Sequence, residues 1–211
     1  MAIAALAGLS GCSGAPDARP ATSTQPVTTT EQITVDPFTE SGEPAAGLDI
    51  VEKGDGNCWQ SWVSITGSNA RRCAPVLTGD QHTSQEVHDP CYLHVRPGPD
   101  RAVCIQNPTT GEATGFDVVE DTGPAPEDAQ RHRPWFVELA DGRHCVLVPG
   151  ADDPESTAED PTYGCGSHDY LYGMPDTTTS VWTITNRHGE AVERAEAGPH
   201  RDRVSIRTVW F

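Results

Sequence analysis

The chain has 211 residues, and its 31 acidic and 14 basic side chains give a formal net charge of -17 at pH 7. Such a charge repels phosphate backbones and anionic lipid surfaces, which argues against a nucleic-acid partner and against attachment to a membrane through a basic surface. Hydrophobic residues make up 36% of the chain, which suits one small core with long polar loops. We therefore expect a single monomeric domain.

The N-terminal residues predict a lipid anchor. Residues 2–9 are uncharged and apolar but too few to cross a bilayer as a helix, so residues 1–11 are predicted to be the end of a signal peptide whose start lies upstream. The following Leu9-Ser10-Gly11-Cys12 resembles the lipobox of bacterial lipoproteins. The resemblance implies that a diacylglycerol on Cys12 holds the protein at the outer face of the cytoplasmic membrane. The alternative is a short apolar N-terminus ahead of an ordinary cysteine.

Residues 12–48 predict a polar tether behind this cysteine. They are rich in Ser, Thr, Gly and Pro, and Pro37 and Pro44 interrupt any regular element. Such a composition does not bury enough apolar surface to fold. We therefore expect residues 12–48 to be disordered and residues 49–211 to form the folded domain.

The cysteines after the anchor are even in number, as expected for an exported protein stabilised by disulfides. Six cysteines allow many connectivities, of which we favour sequential pairing, with loops that contribute about 3 kcal/mol each. The competing interpretation is a zinc site, but there is no Cys-x2-Cys pair, so we predict no metal. The predicted pairs are Cys58 with Cys73, Cys91 with Cys104, and Cys145 with Cys165.

The clearest secondary-structure signal is a β-hairpin. Apolar runs at Trp135–Leu139 and His144–Val148 flank Asp141-Gly142, and Asp-Gly between two such runs is a strong hairpin signal. Near the C-terminus, Val204–Phe211 alternates with a period of two, which predicts a terminal strand with one face buried.

Weaker patterns complete the expected fold. A second hairpin is predicted from Val181–Thr185 through Asn186–Gly189 to Ala191–Glu193, and Ser84–His88 is long enough for only one helical turn. These patterns predict a mainly β fold, a single small antiparallel sandwich or barrel-like domain with long loops and three disulfides. Further strand candidates are Trp59–Ile65, Tyr92–Val95, Val103–Ile105 and Phe116–Val119.

In this order, several short motifs resemble a family of uncharacterised secreted bacterial domains. The resemblance covers most of residues 55–211 and implies a small cysteine-paired β domain of unknown function, with no catalytic residues to carry over. The longer stretch between Cys73 and Cys91 departs from the pattern and is interpreted as an insertion loop. The motifs are Cys58-x3-Trp62, Arg72-Cys73, Asp89-Pro90-Cys91, Pro134 to Cys145, Tyr163-Gly164-Cys165, Leu171 to Asp176, Val181-Trp182-Thr183 and Val209-Trp210-Phe211.

The sequence contains no motif typical of a hydrolase. There is no Gly-x-Ser-x-Gly elbow, Gly166-Ser167-His168 lacks the strand-turn-helix context of a nucleophile, and no His-Glu-x-x-His is present. The predicted disulfides leave no free thiolate after Cys12. Paired carboxylates of a glycoside hydrolase stay open, because their separation is spatial rather than sequential.

Three groups of residues have a ligand-binding interpretation beside a simpler one. Five tryptophans are either a sugar or peptide platform or core residues, and we favour the core. Four residues that include three histidines are either a metal site or scattered surface groups, and the acidic run is either a calcium site or a solvated loop; we favour the simpler interpretation of both. These groups are Trp59, Trp62, Trp135, Trp182 and Trp210; His82, His88, Asp89 and His94; and Asp152, Asp153, Glu155, Glu159 and Asp160.

Two functions follow from this sequence. The first is a lipid-anchored envelope protein with a non-enzymatic binding or structural role, without a cofactor, whose partner is a cell-wall component or another protein. The alternative is a hydrolase that acts on cell-wall material through carboxylates. A deep acidic cleft favours the hydrolase, whereas a filled core with a shallow surface favours the binding protein.

Overall fold

The computed structural model describes residues 26–64, 69–76, 86–94, 100–122, 133–148, 160–166, 169–187 and 201–211. Every helix or strand in these ranges is a β-strand, so none of the described residues forms a helix that could cross a membrane. The predicted mainly β fold, with barrel-like closure and three disulfides, is confirmed. The strands are β1 (Glu31–Ile33), β2 (Asp49–Gln60), β3 (Ala70–Pro75), β4 (His88–His94), β5 (Arg101–Asn107), β6 (Glu112–Asp121), β7 (Phe136–Leu139), β8 (His144–Leu147), β9 (Pro161–Gly164), β10 (Tyr170–Asp176), β11 (Thr183–Arg187) and β12 (Arg201–Trp210).

Strands β2 to β6 form a closed barrel, which we call the first barrel. Neighbouring strands are antiparallel, and the barrel closes through the parallel pair β2 and β6. Its interior holds two disulfides, Cys58–Cys73 and Cys91–Cys104, each joining directly opposite residues of neighbouring strands. Phe116 packs with these cysteines in a small apolar cluster. Crosslinks therefore make up much of the interior of the first barrel.

Strands β7 to β12 form a second ring, which closes where β12 pairs with β7; we call it the second barrel. The third disulfide, Cys145–Cys165, lies here, so the structure has the sequential pairing that we predicted. The interior is otherwise aliphatic and aromatic, with side chains that are almost fully buried. They include Leu139, Leu147, Tyr163, Leu171, Ile184 and Ile206.

The two barrels share one apolar cluster, because strands of the first barrel bury both faces. On β5, Ala102 and Cys104 point into the first barrel, whereas Val103 and Ile105 belong to the cluster that also fills the second barrel. On β4, Tyr92 alternates with the inward-facing residues and joins the same cluster. Burial of both faces explains why these strands are apolar without a clear period of two.

The N-terminal segment differs from the predicted tether in residues 26–48. β1 pairs in parallel with β12, and the Thr30 hydroxyl donates a hydrogen bond of 2.7 Å to the Ile206 carbonyl and accepts one of 2.8 Å from the Trp182 amide. β11 pairs with β12 only up to Ser205, so β1 extends the sheet along β12 beyond the end of β11. Phe38 is buried in the shared cluster. The prediction of disorder was wrong for this segment, because backbone pairing needs few apolar residues.

The hairpin of β7 and β8 is confirmed, and Gly142 at its turn has a positive φ of 86° that suits glycine. The second predicted hairpin is wrong at its turn: Asn186 and Arg187 lie in β11, which pairs with β12 from Arg201 onward. Asn186 is fully buried, so it belongs to the strand rather than to a turn. The predicted return strand at Ala191–Glu193 lies outside the described residues.

The remaining predictions are mostly confirmed. The C-terminal strand is β12, and the described parts of the candidates at 92–95, 103–105 and 116–119 lie in β4, β5 and β6. The candidate at 59–65 was wrong after Gln60, because the chain bends away from β2 at Ser61. The predicted helical turn was wrong at His88, which is the first residue of β4, and residues 84 and 85 lie outside the described residues.

Candidate functional site

A tight loop follows β2 and is fastened to the start of β4. The Ser61 hydroxyl donates a hydrogen bond of 2.5 Å to Asp89 Oδ1, and the Trp62 amide donates one of 2.9 Å to Asp89 Oδ2. The Ser61 oxygen in turn accepts a hydrogen bond of 2.9 Å from the Ser64 amide. These bonds fix the backbone of the loop, while the Trp62 side chain stays 52% exposed. The loop therefore presents an aromatic ring to solvent.

Asp89 is the carboxylate that holds this loop. Burial raises the pKa of Asp89 to about 6, and the Ser61 hydroxyl, the Trp62 amide and the charge of Arg72 partly oppose that rise. The charged group that acts on Asp89 is thus a cation rather than a second carboxylate. Such an arrangement is typical of a structural carboxylate, rather than of a carboxylate that belongs to a catalytic pair.

Arg72 contacts the rings of two tryptophans. Trp59 and Arg72 are directly opposite on β2 and β3, next to the Cys58–Cys73 disulfide, and the guanidinium carbon is 5.2 Å from the Trp59 ring centroid. The same carbon is 3.5 Å from the centroid of Trp62, a distance typical of a cation–π contact. We call this group of Trp59, Ser61, Trp62, Arg72 and Asp89 the Trp–Arg site.

The guanidinium of Arg72 has no polar partner in the described part of the chain. Its Nε atom is buried without a hydrogen bond, and burial lowers the pKa of Arg72 while Asp89 raises it. The neighbouring Arg71, in contrast, makes a two-pronged pair with Asp121 at 2.7 and 2.9 Å. Arg72 is therefore positioned by aromatic rings and leaves hydrogen-bond donors free.

The histidines of the possible metal site do not converge. His88 is buried, its Nδ1 atom lies 3.0 Å from Gln106 Nε2, and burial lowers the pKa of His88. His94 instead packs on Phe38, with ring centroids 5.1 Å apart. Among the described residues, the potential metal ligands that lie together are three cysteine sulfurs, which are already in disulfides. The predicted contribution of His82 lies outside the described residues.

The tryptophans divide between the two interpretations. Trp135 and Trp210 are buried core residues of the second barrel, as we favoured, and Trp59 and Trp182 are partly buried. Trp62 departs from that prediction, because more than half of it is exposed. Of the acidic run only Asp160 lies within the described residues, and Cys12, Ser167 and His168 lie outside them.

A second surface feature lies beside β1. It is an open groove of about 270 Å³, smaller than most small-molecule sites. Met174 is 55% exposed and forms part of its wall. The lining residues are Gln32, Pro134, Met174, Pro175, Thr177, Trp182 and Phe211.

Comparison of the chain with known protein families, with curated proteins and with solved structures finds no match. The Trp–Arg site therefore rests on its geometry alone. Its central pair also has a signal in the sequence, which lies in the cysteine pairing rather than in any motif. When Cys58 and Cys73 face each other on antiparallel strands, the residue after the first cysteine must face the residue before the second, which places Trp59 opposite Arg72.

Proposed function

We propose that this chain is a non-enzymatic binding protein of the bacterial envelope, anchored by a lipid on Cys12 and binding a cell-wall component through the Trp–Arg site. The observation that carries the binding role is the exposed ring of Trp62, fixed by Asp89 and stacked on a guanidinium without a polar partner. Exposed aromatic residues with an arginine are typical of binding surfaces.

The alternative hydrolase has less support from the same residues. Asp89 is the described carboxylate whose pKa is raised, but both of its oxygens accept hydrogen bonds from the loop that it fastens. Glycoside hydrolysis needs a second carboxylate roughly 5 to 10 Å away, and the charged neighbour that acts on Asp89 is Arg72. The shared core is filled by side chains, and the groove beside β1 has a volume of only about 270 Å³.

The ordered N-terminal segment also changes the expected position of the domain. Thr30 is hydrogen-bonded to Ile206 and Trp182, so a tether behind Cys12 comprises at most residues 13–29, whose fully extended span is about 60 Å. A tether that extended to residue 48 has a stretched limit of about 125 Å. If Cys12 carries lipid, the domain stays close to the membrane, facing the inner side of the wall.

Two experiments test this proposal. Mass spectrometry of the protein from its membrane fraction is expected to show a diacylated Cys12, and Cys12→Ser is expected to release the chain from that fraction. An unmodified Cys12 in the membrane-bound protein would contradict the anchor.

For binding, the full-length Cys12→Ser chain is sedimented with purified cell walls. Co-sedimentation is expected, with a loss of at least about fivefold in Trp62→Ala and no change in Tyr170→Ala, a control on the second barrel that is 37% exposed. Equal sedimentation of the two variants, or no sedimentation of the parent chain, would overturn the proposed site. Release of soluble wall fragments would favour the hydrolase instead.

A further inference from the structure

We propose that the Trp–Arg site recognises an acidic sugar, with the carboxylate or phosphate of the ligand paired to Arg72 and the sugar ring packed against Trp62. This inference rests on the proposed function, because it names the ligand class of the same site.

Carboxylates are abundant as ion-pair partners in this chain, since acidic residues outnumber basic ones by 31 to 14. Arg72 forms neither a hydrogen bond nor an ion pair within the described ranges, and its contacts are with two indole rings. Ion pairs with carboxylates are formed by Lys53, Arg71, Arg101, Arg143, Arg203 and Arg207.

The stacking geometry leaves the useful edge of Arg72 open. A guanidinium stacked on an aromatic ring keeps its N–H bonds in its own plane, where they can form two parallel hydrogen bonds to a carboxylate or phosphate. Nε is buried, so the accessible edge is the one that carries the two terminal nitrogens. Contacts with Trp59 and Trp62 hold the guanidinium in place, which reduces the entropy lost on binding.

Asp89 does not take the place of the ligand. It lies close enough to act electrostatically on Arg72, but its two oxygens are engaged by the Ser61 hydroxyl and the Trp62 amide. The carboxylate therefore fixes the loop that carries Trp62 and leaves the terminal nitrogens of Arg72 without a partner.

The net charge of the chain and the exposed ring of Trp62 indicate the charge and the shape of the ligand. A net charge of -17 opposes a polyanion, so a ligand with an isolated acidic group near Arg72 is favoured over an extended phosphate backbone. The exposed part of Trp62 offers a flat apolar surface, which suits the C–H face of a pyranose ring. An acidic saccharide combines both features.

The test compares two sugars that differ by one acidic group. The full-length Cys12→Ser chain is titrated by tryptophan fluorescence with N-acetylmuramic acid, which carries a lactyl carboxylate, and with N-acetylglucosamine, which lacks it. D-Lactate alone is the third probe. We expect the acidic sugar to bind at least about tenfold more tightly than either other probe, as for a charge-assisted hydrogen bond.

Variants separate the role of Arg72 from general charge effects. Arg72→Gln is expected to reduce the preference for the acidic sugar to about one, and Arg72→Lys to retain part of it, because lysine keeps the charge but loses the planar pair of donors. The matched control is Arg203→Gln, which removes an equal charge from an exposed ion pair with Asp176 and is expected to leave the preference unchanged.

Three outcomes would overturn this inference: equal binding of both sugars by the parent chain, a preference that survives in Arg72→Gln, or equal binding of D-lactate and the acidic sugar. Sedimentation is repeated with cell walls whose carboxylates have been amidated and whose phosphates have been removed. This distinguishes a failure of the acidic-ligand inference from a failure of the proposed function. Undiminished sedimentation with those walls means that wall binding is correct and the acidic ligand is wrong. Loss of sedimentation supports both.

Discussion

The interiors of the two barrels are stabilised in different ways, the first mainly by disulfides and the second mainly by apolar side chains. The first barrel encloses two disulfides and a small apolar cluster of Leu93, Ala102 and Phe116 beside the cysteines. The second barrel encloses one disulfide and a large set of buried aliphatic and aromatic residues. A narrow ring has little interior to fill, so crosslinks between neighbouring strands supply stability that apolar burial cannot.

The same contrast appears in the polar groups. The first barrel carries the perturbed ionisable residues His88 and Asp89 and the Trp–Arg site. The second barrel buries Asn186 and Tyr163, whose hydroxyl donates a hydrogen bond to the Pro134 carbonyl, and Arg133 is buried near Tyr163; the carboxylate there with a perturbed pKa, Asp176, lies at the surface. The Trp–Arg site lies on the first barrel, and this is where we propose ligand binding.

The largest expected effect comes from removing the crosslinks of the first barrel. Replacement of Cys58, Cys73, Cys91 and Cys104 by alanine opens loops with separations of 15 and 13 residues, at about 3 kcal/mol each. The combined loss, on the order of 6 kcal/mol, is comparable to the whole stability of many domains. We expect amide hydrogen exchange to show that the first barrel loses its protection.

The control for this prediction removes Cys145 and Cys165, whose separation is 20 residues. The chain-entropy loss is again about 3 kcal/mol, but we expect the second barrel to keep its protection at low temperature, because its apolar core remains. Equal collapse of both barrels in the two variants would contradict the difference that we draw between them.

A smaller effect is expected from truncation of matched leucines. Leu171→Ala in the second barrel removes a fully buried side chain from the large cluster and should reduce the free energy of unfolding by about 3 to 5 kcal/mol. Leu93→Ala in the first barrel should lose about 2 kcal/mol, because Leu93 is 7% exposed and packs in the smaller cluster. Denaturant titration at a fixed pH measures both, and the reverse order would contradict our assignment of the cores.

The sequence predicted more of the second barrel than of the first. β7, β8 and β12 have strong local signals, since Asp141-Gly142 marks a turn and residues 204–211 alternate. β2 begins at Asp49, in a stretch with Gly54 and Gly56 that lacks a strand pattern, and it is paired because it closes the barrel against β6. Closure is a long-range event, which local periodicity does not reveal.

The candidate site shows the same limit. Spacing correctly predicts the disulfides, but Asp89 lies 27 residues from Trp62, and its position in the sequence groups it with nearby histidines as a possible metal ligand. Its actual partners, Ser61 and Trp62, follow the end of a different strand. The antiparallel pairings of β2 with β3 and of β3 with β4 together bring these segments close.

A third effect sharpens the contrast in ionisable groups. The pKa of Asp89 is about 6 in the fold, above its ordinary 3.8, so the folded chain holds the proton more tightly than the unfolded chain. The penalty of the ionised form is present above pH 6 and disappears below about pH 4, which stabilises the fold as the pH falls through this range. Relative to Asp89→Asn, the free energy of unfolding of the parent chain should rise by about 2 kcal/mol as the pH falls from 7 to 4.

This comparison of two chains removes the opposing contribution of His88. Burial lowers the pKa of His88, so its contribution to stability is lost as the pH falls through its ordinary value of 6.5, and this happens in both chains. Urea denaturation at several pH values measures the difference between parent and variant. If the difference in free energy of unfolding between the two chains stays constant from pH 7 to pH 4, the raised pKa of the buried Asp89 carboxyl is contradicted.

The smallest effect tests whether the N-terminal segment is part of the second barrel. Thr30→Val keeps the shape of a buried side chain but removes the hydroxyl that bonds to Ile206 and Trp182, and should reduce the free energy of unfolding by about 1 to 1.5 kcal/mol. The matched control is Thr39→Val, whose hydroxyl is exposed and whose loss should change stability by less than about 0.5 kcal/mol.

If Thr30→Val changes the free energy of unfolding as little as Thr39→Val does, the pairing of β1 with β12 does not contribute to stability. The prediction that residues 26–48 form a tether would then be the better description. If Thr30→Val is destabilising, hydrogen exchange should show the loss along β12 at Thr208 to Trp210, where β1 is the partner, before it shows any loss in the first barrel. In that case β12 of the second barrel depends on its pairing with β1, whereas the strands of the first barrel pair only with one another.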